Sequence, residues 1–334
     1  MASSIGEVHL FIRPSEPLVS LPPRRGKAFS AVAGIIVSMV LSMQLTRTAE
    51  SGLNAPFFIM YMHIAMAAVC LLLAKSAARN KRVVASMRDV VLFLPLWVAS
   101  NYCFVAALEY APAGLVQTLF GTAPAIVAVL SRILLVEHFS IHRAAAVALA
   151  FLGTAVISLS GWQAGNVKDR LGSGIMLGML LALLAVFAAA CYKVMFKARF
   201  GEPSVPNLLG FLGSLGLAGG IAGLPIAFLL AALGREDCWW DGSVNVNWAF
   251  VVVSAVADVA YAVSIAYGLA VSSPVYVALG VILATPVNLL VDAIVHHIRL
   301  TVTEAAGAVL IGLSFTMLSL RPACNAPGSG SEMS

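Results

Sequence analysis

The sequence predicts an all-α membrane protein with ten transmembrane helices, arranged as two inverted five-helix repeats. Three observations predict it: the composition, ten long apolar segments, and two matched pairs of prolines. Of the 334 residues, 60% are hydrophobic and only 10% are charged, whereas soluble domains carry about 25% charged residues. So few charges could not cover the surface of a soluble globule this large, but a bilayer removes that requirement.

The apolar segments follow one another with short polar breaks. A helix needs about 20 residues to cross a hydrocarbon core of about 30 Å, and most segments are about that long. We place the predicted helices at 28–46, 55–74, 90–109, 113–135, 143–161, 172–193, 207–233, 247–270, 273–295 and 303–320.

The distribution of basic residues predicts the orientation. With a cytosolic N-terminus, three quarters of the 20 Lys and Arg residues fall on the cytosolic side, as positive-inside sorting requires. Both termini are therefore expected in the cytosol, residues 1–27 as a disordered tail and residues 321–334 as a second tail. The same asymmetry explains the net charge of +5 without a nucleic-acid partner.

Matched prolines indicate an internal repeat. Pro112 and Pro124 are separated by the same interval as Pro274 and Pro286, and both pairs bracket a helix-turn-helix segment. The repeat unit contains five helices, an odd number, so the second copy must cross the membrane in the opposite sense. Secondary transporters use this architecture and bind substrate near the midplane, where the repeats meet. The predicted repeats cover residues 28–161 and 172–320.

Pro124 and Pro286 each fall well inside a predicted helix and free the carbonyl four residues back. A freed carbonyl at that depth needs a partner, either from a polar cavity or from Gln117, Thr118 or Thr285. The alternative is that both prolines only shape helix packing.

Asp258 is the most informative polar residue, because it lies near the centre of the eighth predicted helix among apolar neighbours. A carboxylate there costs at least about 2.5–3.5 kcal/mol unless it is neutralised, paired or facing water. Tyr261 shares its helix face. The functional interpretation is a proton-coupling group or a counter-ion for a cationic substrate. The alternative is a protonated side chain hydrogen-bonded to a neighbouring helix.

Other polar residues allow two interpretations each. Asp292 and Asn288 share a helix face, and Asp292 could gate the substrate path or reach water at the membrane surface. Lys193 and Lys197 are predicted to be solvated anchors at the cytosolic end of the sixth helix. A glycine stripe in the seventh predicted helix indicates close helix packing; its members are Gly210, Gly213, Gly216, Gly219 and Gly223.

Several strings resemble the F subfamily of solute carrier family 35, on the branch that includes a proposed thiamine carrier. They are Tyr192–Lys197 (YKVMFK), the pair Asn101–Tyr102, Leu279–Leu283 (LGVIL), and Pro286–Asn288 followed by Asp292. The resemblance implies the drug/metabolite transporter fold, two EamA-like halves, and an endomembrane location (Golgi, endoplasmic reticulum or vesicle) or a plasma-membrane one.

Two departures from that subfamily alter the charge of the predicted core. Ala123–Pro124 stands where the branch carries an Asn-Lys pair, and Asp258 stands where it carries an apolar residue. Losing a cation and gaining an anion favours a cationic substrate, such as thiamine. A nucleotide-sugar antiporter is the alternative, but it needs cationic side chains in the cavity, and no Lys or Arg lies deep in a predicted helix. A non-transporting scaffold or receptor is the alternative of another class.

No catalytic set is visible: none of the six histidines has the HExxH spacing, and no phosphate-binding glycine loop occurs. We therefore expect no enzyme, no cofactor and no metal, with a small-molecule substrate and the lipid bilayer as partners. Proton coupling and a homodimer stay open. The predicted substrate-binding residues are Asp258, Tyr261, Asn101, Tyr102, Gln117, Thr118, Asn288 and Asp292, with helix kinks at Pro124 and Pro286.

Overall fold

A computed structural model describes residues 25–50, 53, 55–77, 86–111, 113–135, 140–164, 174–237, 239, 246–295, 297 and 300–319. Across these residues the secondary structure is helical, with no strand. Most of each predicted tail lies outside the described residues, so the predictions for 1–27 and 321–334 stay predictions.

Ten helical stretches of the described chain are long and apolar enough to cross a membrane, which confirms the predicted fold class. Two of these stretches are interrupted: α2 and α3 share one, and α5 and α6 share another. The helices are α1 (Arg25–Glu50), α2 (Pro56–Met66), α3 (Val69–Ala77), α4 (Met87–Tyr110), α5 (Ala113–Phe120), α6 (Ala123–Leu134), α7 (Ile141–Ala164), α8 (Gly174–Phe200), α9 (Val205–Ala232), α10 (Trp248–Val271), α11 (Pro274–Val295) and α12 (Val302–Ser319).

The two interruptions have different causes. Between α2 and α3, the turn at Ala67–Ala68 lies against Gly216 of α9, where an added Cβ would be 2.4 Å from the Ala68 nitrogen. Between α5 and α6, the helix breaks at Gly121–Thr122, and Pro124 lies in the first turn of α6. A first-turn proline costs no hydrogen bond. Pro286 differs, since it lies inside the continuous helix α11.

The helix pairs follow a two-fold pattern. Exchanging the first five membrane segments for the last five maps α1 onto α8, α2–α3 onto α9, α4 onto α10, α5–α6 onto α11 and α7 onto α12. Under this exchange, the packed pair α1 and α10 corresponds to the pair α8 and α4. The pair α1 and α11 corresponds to α8 packed on α5–α6. All four of these helix pairs are in contact. The α7–α12 and α9–α2/α3 pairs map onto themselves and are present too. This is the packing expected of two related halves.

The α7–α12 crossing is a close and reciprocal backbone contact within that pattern. A Cβ on Gly153 would be 2.7 Å from the Gly307 carbonyl oxygen, and one on Gly307 would be 2.6 Å from that of Gly153. Ile311 and Ile157 flank the crossing in the same reciprocal way. Only glycine allows two helix backbones to approach this closely.

The α9 glycine stripe packs against α2 and α3, as predicted. An added Cβ would be 2.5 Å from the Leu71 nitrogen at Gly213, 2.5 Å from the Ile64 side chain at Gly219 and 2.8 Å from the Tyr61 ring at Gly223. These contacts confirm the packing interpretation of the stripe.

Candidate functional site

A cavity of about 130 Å³ lies between α2, α4 and α10, next to the end of α1. Its polar lining comes from Thr46, His63, Asn101 and Asp258, and Trp97 forms part of the wall. The remaining lining is apolar apart from backbone. A small group of polar side chains inside an apolar wall is typical of a small-molecule site.

The cavity occupies one half of the bundle. Thr46 is near the end of α1, Pro56 is the first residue of α2, and Val105 is near the end of α4; these ends belong to the same half. Asp258 lies close to the middle of α10. The cavity therefore extends from one end of the bundle to about half its depth.

Asp258 is the acid of this cavity. Among the described residues it has no salt bridge and accepts no hydrogen bond, and its electrostatic neighbours are His63 on α2 and Tyr261 on its own helix. An intramembrane carboxylate held this way requires a proton or a positive charge nearby. Asp258 therefore lies at the cavity, and its functional role stays a prediction.

His63 was missed by the sequence reasoning, although an ionisable residue inside an apolar segment is itself a signal. Its Nε2 lies 3.1 Å from the Oγ of Ser254, and the Ser254 hydroxyl donates to the Val251 carbonyl at 2.9 Å. A serine has one hydrogen to donate; when that hydrogen goes to the Val251 carbonyl, Nε2 of His63 is the donor in the first contact. Nδ1 is then the nitrogen that gains or loses a proton.

Among the other predicted site residues, Asn101 also lines the cavity. Its Nδ2 donates a hydrogen bond to the Trp97 carbonyl at 2.8 Å. Tyr261 packs against the aromatic and aliphatic cluster formed by α4, α8, α9 and α10. Tyr102 is 48% exposed and meets Phe57 edge-on, 6.2 Å between ring centres, outside the cavity lining.

Gln117 and Thr118 belong to a different part of the protein. Gln117 on α5 donates from Nε2 to Oγ1 of Thr285 on α11 at 3.4 Å, one residue before Pro286. Thr118 is half-buried on the same helix. The Gln117–Thr285 hydrogen bond joins the two proline-containing segments, and neither Gln117 nor Thr118 lines the cavity.

Asn288 and Asp292 form a third group, with α1. Gln44 donates from Nε2 to Asn288 Oδ1 at 2.9 Å and to Asp292 Oδ1 at 2.8 Å. Arg47 adds an ion pair with Asp292 at 3.5 Å. Sequence reasoning missed Gln44 and Arg47, because nothing along the chain indicates that α1 packs on α11. Asp292 is thus paired across two helices, away from Asp258.

The half of the bundle away from the cavity contains an ion pair and an aromatic cluster. Arg199 near the end of α8 forms an ion pair with Asp89 near the start of α4, with 2.8 Å between Nε and Oδ1. Aromatic rings from α4, α8 and α9 pack beside it in contact with one another; they are Phe93, Tyr192, Phe196, Phe200 and Phe211.

The prediction of Lys193 as a solvated anchor is wrong. Helix α8 continues to Phe200, seven residues beyond its predicted end, so Lys193 lies inside the bundle with 8% of its surface exposed. It has no hydrogen bond or ion pair within the described residues. Lys197 is half-buried, and its Nζ donates to the Ala270 carbonyl at 3.2 Å near the end of α10. The prediction that no Lys or Arg lies deep in a helix is therefore also wrong for Lys193.

A family model matches the first part of the chain. Residues 27–159 match the EamA-like transporter family. The matched segment contains nearly all of α1, then α2 to α6 and most of α7, close to the predicted first repeat. It includes His63 and Asn101, whereas Asp258 lies outside the matched residues.

The curated relatives include solute carriers of family 35, F subfamily, as the sequence resemblance implied. Member F3 of Homo sapiens is 26% identical over 225 residues, which are 67% of this chain and 51% of that protein. Member F5 of Bos taurus is 22% identical over 231 residues, 68% of this chain and 43% of that protein. An uncharacterized transporter of Schizosaccharomyces pombe is 23% identical over 231 residues, covering 68% and 66%. The aligned region spans about half the length of the F3 relative.

A solved crystal structure shares the fold. It superposes with a TM-score of 0.69 at 17% identity and covers 89% of this chain and 99% of its own. With ten helical stretches long and apolar enough to cross a membrane among its described residues, the chain is an integral, multi-pass membrane protein.

Proposed function

We propose that the protein is a secondary carrier that moves an organic cation, such as thiamine, by alternating access. The observation that carries the proposal is Asp258, an intramembrane carboxylate at the inner end of a cavity. Asn101 supplies an amide to the same wall, and Trp97 supplies an aromatic face. A carboxylate combined with an indole ring is chemistry suited to a cation, and it disfavours an anion at this site.

The two halves of the bundle differ in the way an alternating-access carrier requires. The cavity reaches one end, whereas the Arg199–Asp89 ion pair and the aromatic cluster close the other. With both termini in the cytosol, as the basic residues predict, the cavity opens to the non-cytosolic side. The two-fold helix pairing supports rocking of one repeat against the other.

The size of the cavity also bears on the mechanism. Small-molecule sites usually measure about 300–1,000 Å³, and this cavity measures about 130 Å³. A ring-containing cation therefore fits only when α2, α4 and α10 move apart. Binding and opening are linked on this account, as they must be in a carrier.

Ligand-induced stabilisation of the purified full-length protein tests the proposal. Thiamine should raise the thermal midpoint of the wild-type protein, since saturation a hundredfold above Kd adds about 2.7 kcal/mol. It should leave the Asp258→Asn midpoint unmoved. Glu202→Gln, the same chemical change at an exposed position, is the matched control and should respond as wild type does. A shift in Asp258→Asn equal to that of wild type would remove Asp258 from the site.

A second candidate function has an observation of its own. Lys193 is a buried cation without a partner in the described chain, and a nucleotide-sugar antiporter needs such a group to meet phosphate. The same thermal assay with a UDP-sugar tests it. Stabilisation that is lost in Lys193→Gln and kept in Asp258→Asn would favour the antiporter over the cation carrier. A protein stabilised by neither ligand, with engineered cysteines near Pro124 and Pro286 closed to water-soluble reagents, would favour a scaffold.

A further inference from the structure

Two ionisable side chains from different halves of the chain meet at the cavity. His63 comes from α2 and Asp258 from α10; both line the cavity and interact electrostatically. The other lining residues add no titratable group. Tyr261 faces Asp258 from its own helix. Helices α1, α4 and α9, which pack against these elements, carry no charged residue in their central parts. Helix α8, which also packs against α10, carries Lys193 and Lys197 towards its C-terminal end.

We propose that His63 and Asp258 together hold one proton that the organic cation displaces, so that the carrier exchanges one cation for one proton. This inference rests on the proposed function and names its coupling ion. His63, which nothing in the family comparisons assigns, is its second essential residue.

The proton count does not depend on where the proton resides. With the cavity empty, the pair is neutral either as protonated Asp258 with neutral His63 or as carboxylate with imidazolium, and both forms hold the same proton. When the cation arrives, its positive charge takes the place of the proton's, and the pair becomes carboxylate with neutral imidazole. One proton leaves to water and no other bond changes. The cavity is neutral in both states, which avoids an uncompensated charge in the membrane.

The hydrogen bonds around His63 support this role. Nε2 is committed to Ser254, whose own hydrogen goes to the Val251 carbonyl. In this arrangement Nε2 stays bonded to Ser254, and Nδ1 is the nitrogen that exchanges the proton. A histidine held only for packing would not require a fixed tautomer beside an unpaired carboxylate.

Two assays on the full-length protein in proteoliposomes test the proton exchange separately from the proposed transport of an organic cation. The first is counterflow, the exchange of labelled for unlabelled thiamine without a pH gradient. The second is thiamine accumulation driven by a gradient with the acidic side inside. Electroneutral one-for-one exchange predicts about tenfold accumulation per pH unit in the wild type. In His63→Gln, whose amide can still donate to Ser254, the ratio of driven to undriven uptake should fall to about one. Glu202→Gln is the control and should keep the wild-type ratio.

The outcomes distinguish the proton-exchange inference from the proposed carrier function. Wild-type counterflow without acceleration by the gradient overturns the exchange inference and leaves the carrier intact. A wild-type ratio in His63→Gln overturns the inference that His63 shares the proton with Asp258. Absence of counterflow in the wild type overturns both. If His63→Gln does not fold, proton release on thiamine binding to the wild type in weakly buffered detergent decides: about one proton per thiamine supports the exchange, and none refutes it.

Discussion

The α7–α12 crossing gives the sharpest prediction about the fold. In Gly307→Ala, the new Cβ would be 2.6 Å from the Gly153 carbonyl oxygen and from the Ile157 side chain. The first of these contacts is with backbone, so rotating a side chain cannot relieve it; the two helices must separate by several tenths of an ångström. Overpacking of this kind costs about 1–3 kcal/mol. At about 2–4 °C per kcal/mol, the thermal midpoint should fall by roughly 2–12 °C.

The assay is thermal unfolding of the purified full-length protein in one detergent. Gly312→Ala is the matched control, because Gly312 lies on the same helix and an added Cβ meets nothing within 4 Å; its midpoint should not fall. Gly153→Ala should resemble Gly307→Ala. The double variant should lose less than the sum, since one separation relieves both contacts. Equal midpoints for Gly307→Ala and Gly312→Ala would refute the close crossing.

Three further predictions concern charged residues and use the same unfolding assay. Glu236 accepts hydrogen bonds from the first amides of α2 at 2.6 and 3.2 Å, so Glu236→Gln should lower the free energy of unfolding by about 1–2 kcal/mol. Glu202→Gln should leave the thermal midpoint unchanged, and equal midpoints for the two variants would contradict this capping role. Arg199→Gln should lower the free energy of unfolding by about 1–3 kcal/mol, because it leaves the buried carboxylate of Asp89 unpaired. Adding Asp89→Asn to that variant should recover part of the lost stability, and no recovery would argue against the ion pair. Lys193→Met should raise the midpoint, since it removes a buried unpaired charge, and a lower midpoint would indicate a counter-charge for Lys193.

The ten membrane helices could be predicted from the sequence because the signal is local. Length and apolarity alone decide whether a segment can cross a bilayer, and most predicted bounds lie within three or four residues of the observed ones. Helix α8 is the exception. Its three basic residues suggested a membrane boundary, but no helix-breaking residue occurs before Gly201, which has a positive φ of 59°. That glycine, with its amide bonded to the Lys197 carbonyl at 2.9 Å, is the stop signal the sequence did contain.

The candidate site was predicted only in part, because its residues meet through tertiary packing. Asp258 could be identified alone, since a carboxylate inside an apolar helix needs an explanation wherever it lies. His63 becomes meaningful only when α2 is known to pack on α10. Gln44 likewise acquires its role from the α1–α11 contact. Tyr102 neighbours the cavity residue Asn101 in sequence but lies outside the cavity lining, because successive helix positions point in different directions.

Uptake by the reconstituted protein tests the central claim most directly. The initial rate of labelled thiamine entry into proteoliposomes should exceed that of protein-free liposomes for the wild type and for Glu202→Gln, at matched amounts of incorporated protein. For Asp258→Asn it should fall to the protein-free rate. Wild-type uptake in Asp258→Asn, with folding and incorporation intact, would contradict the account that this carboxylate receives a cation inside the membrane.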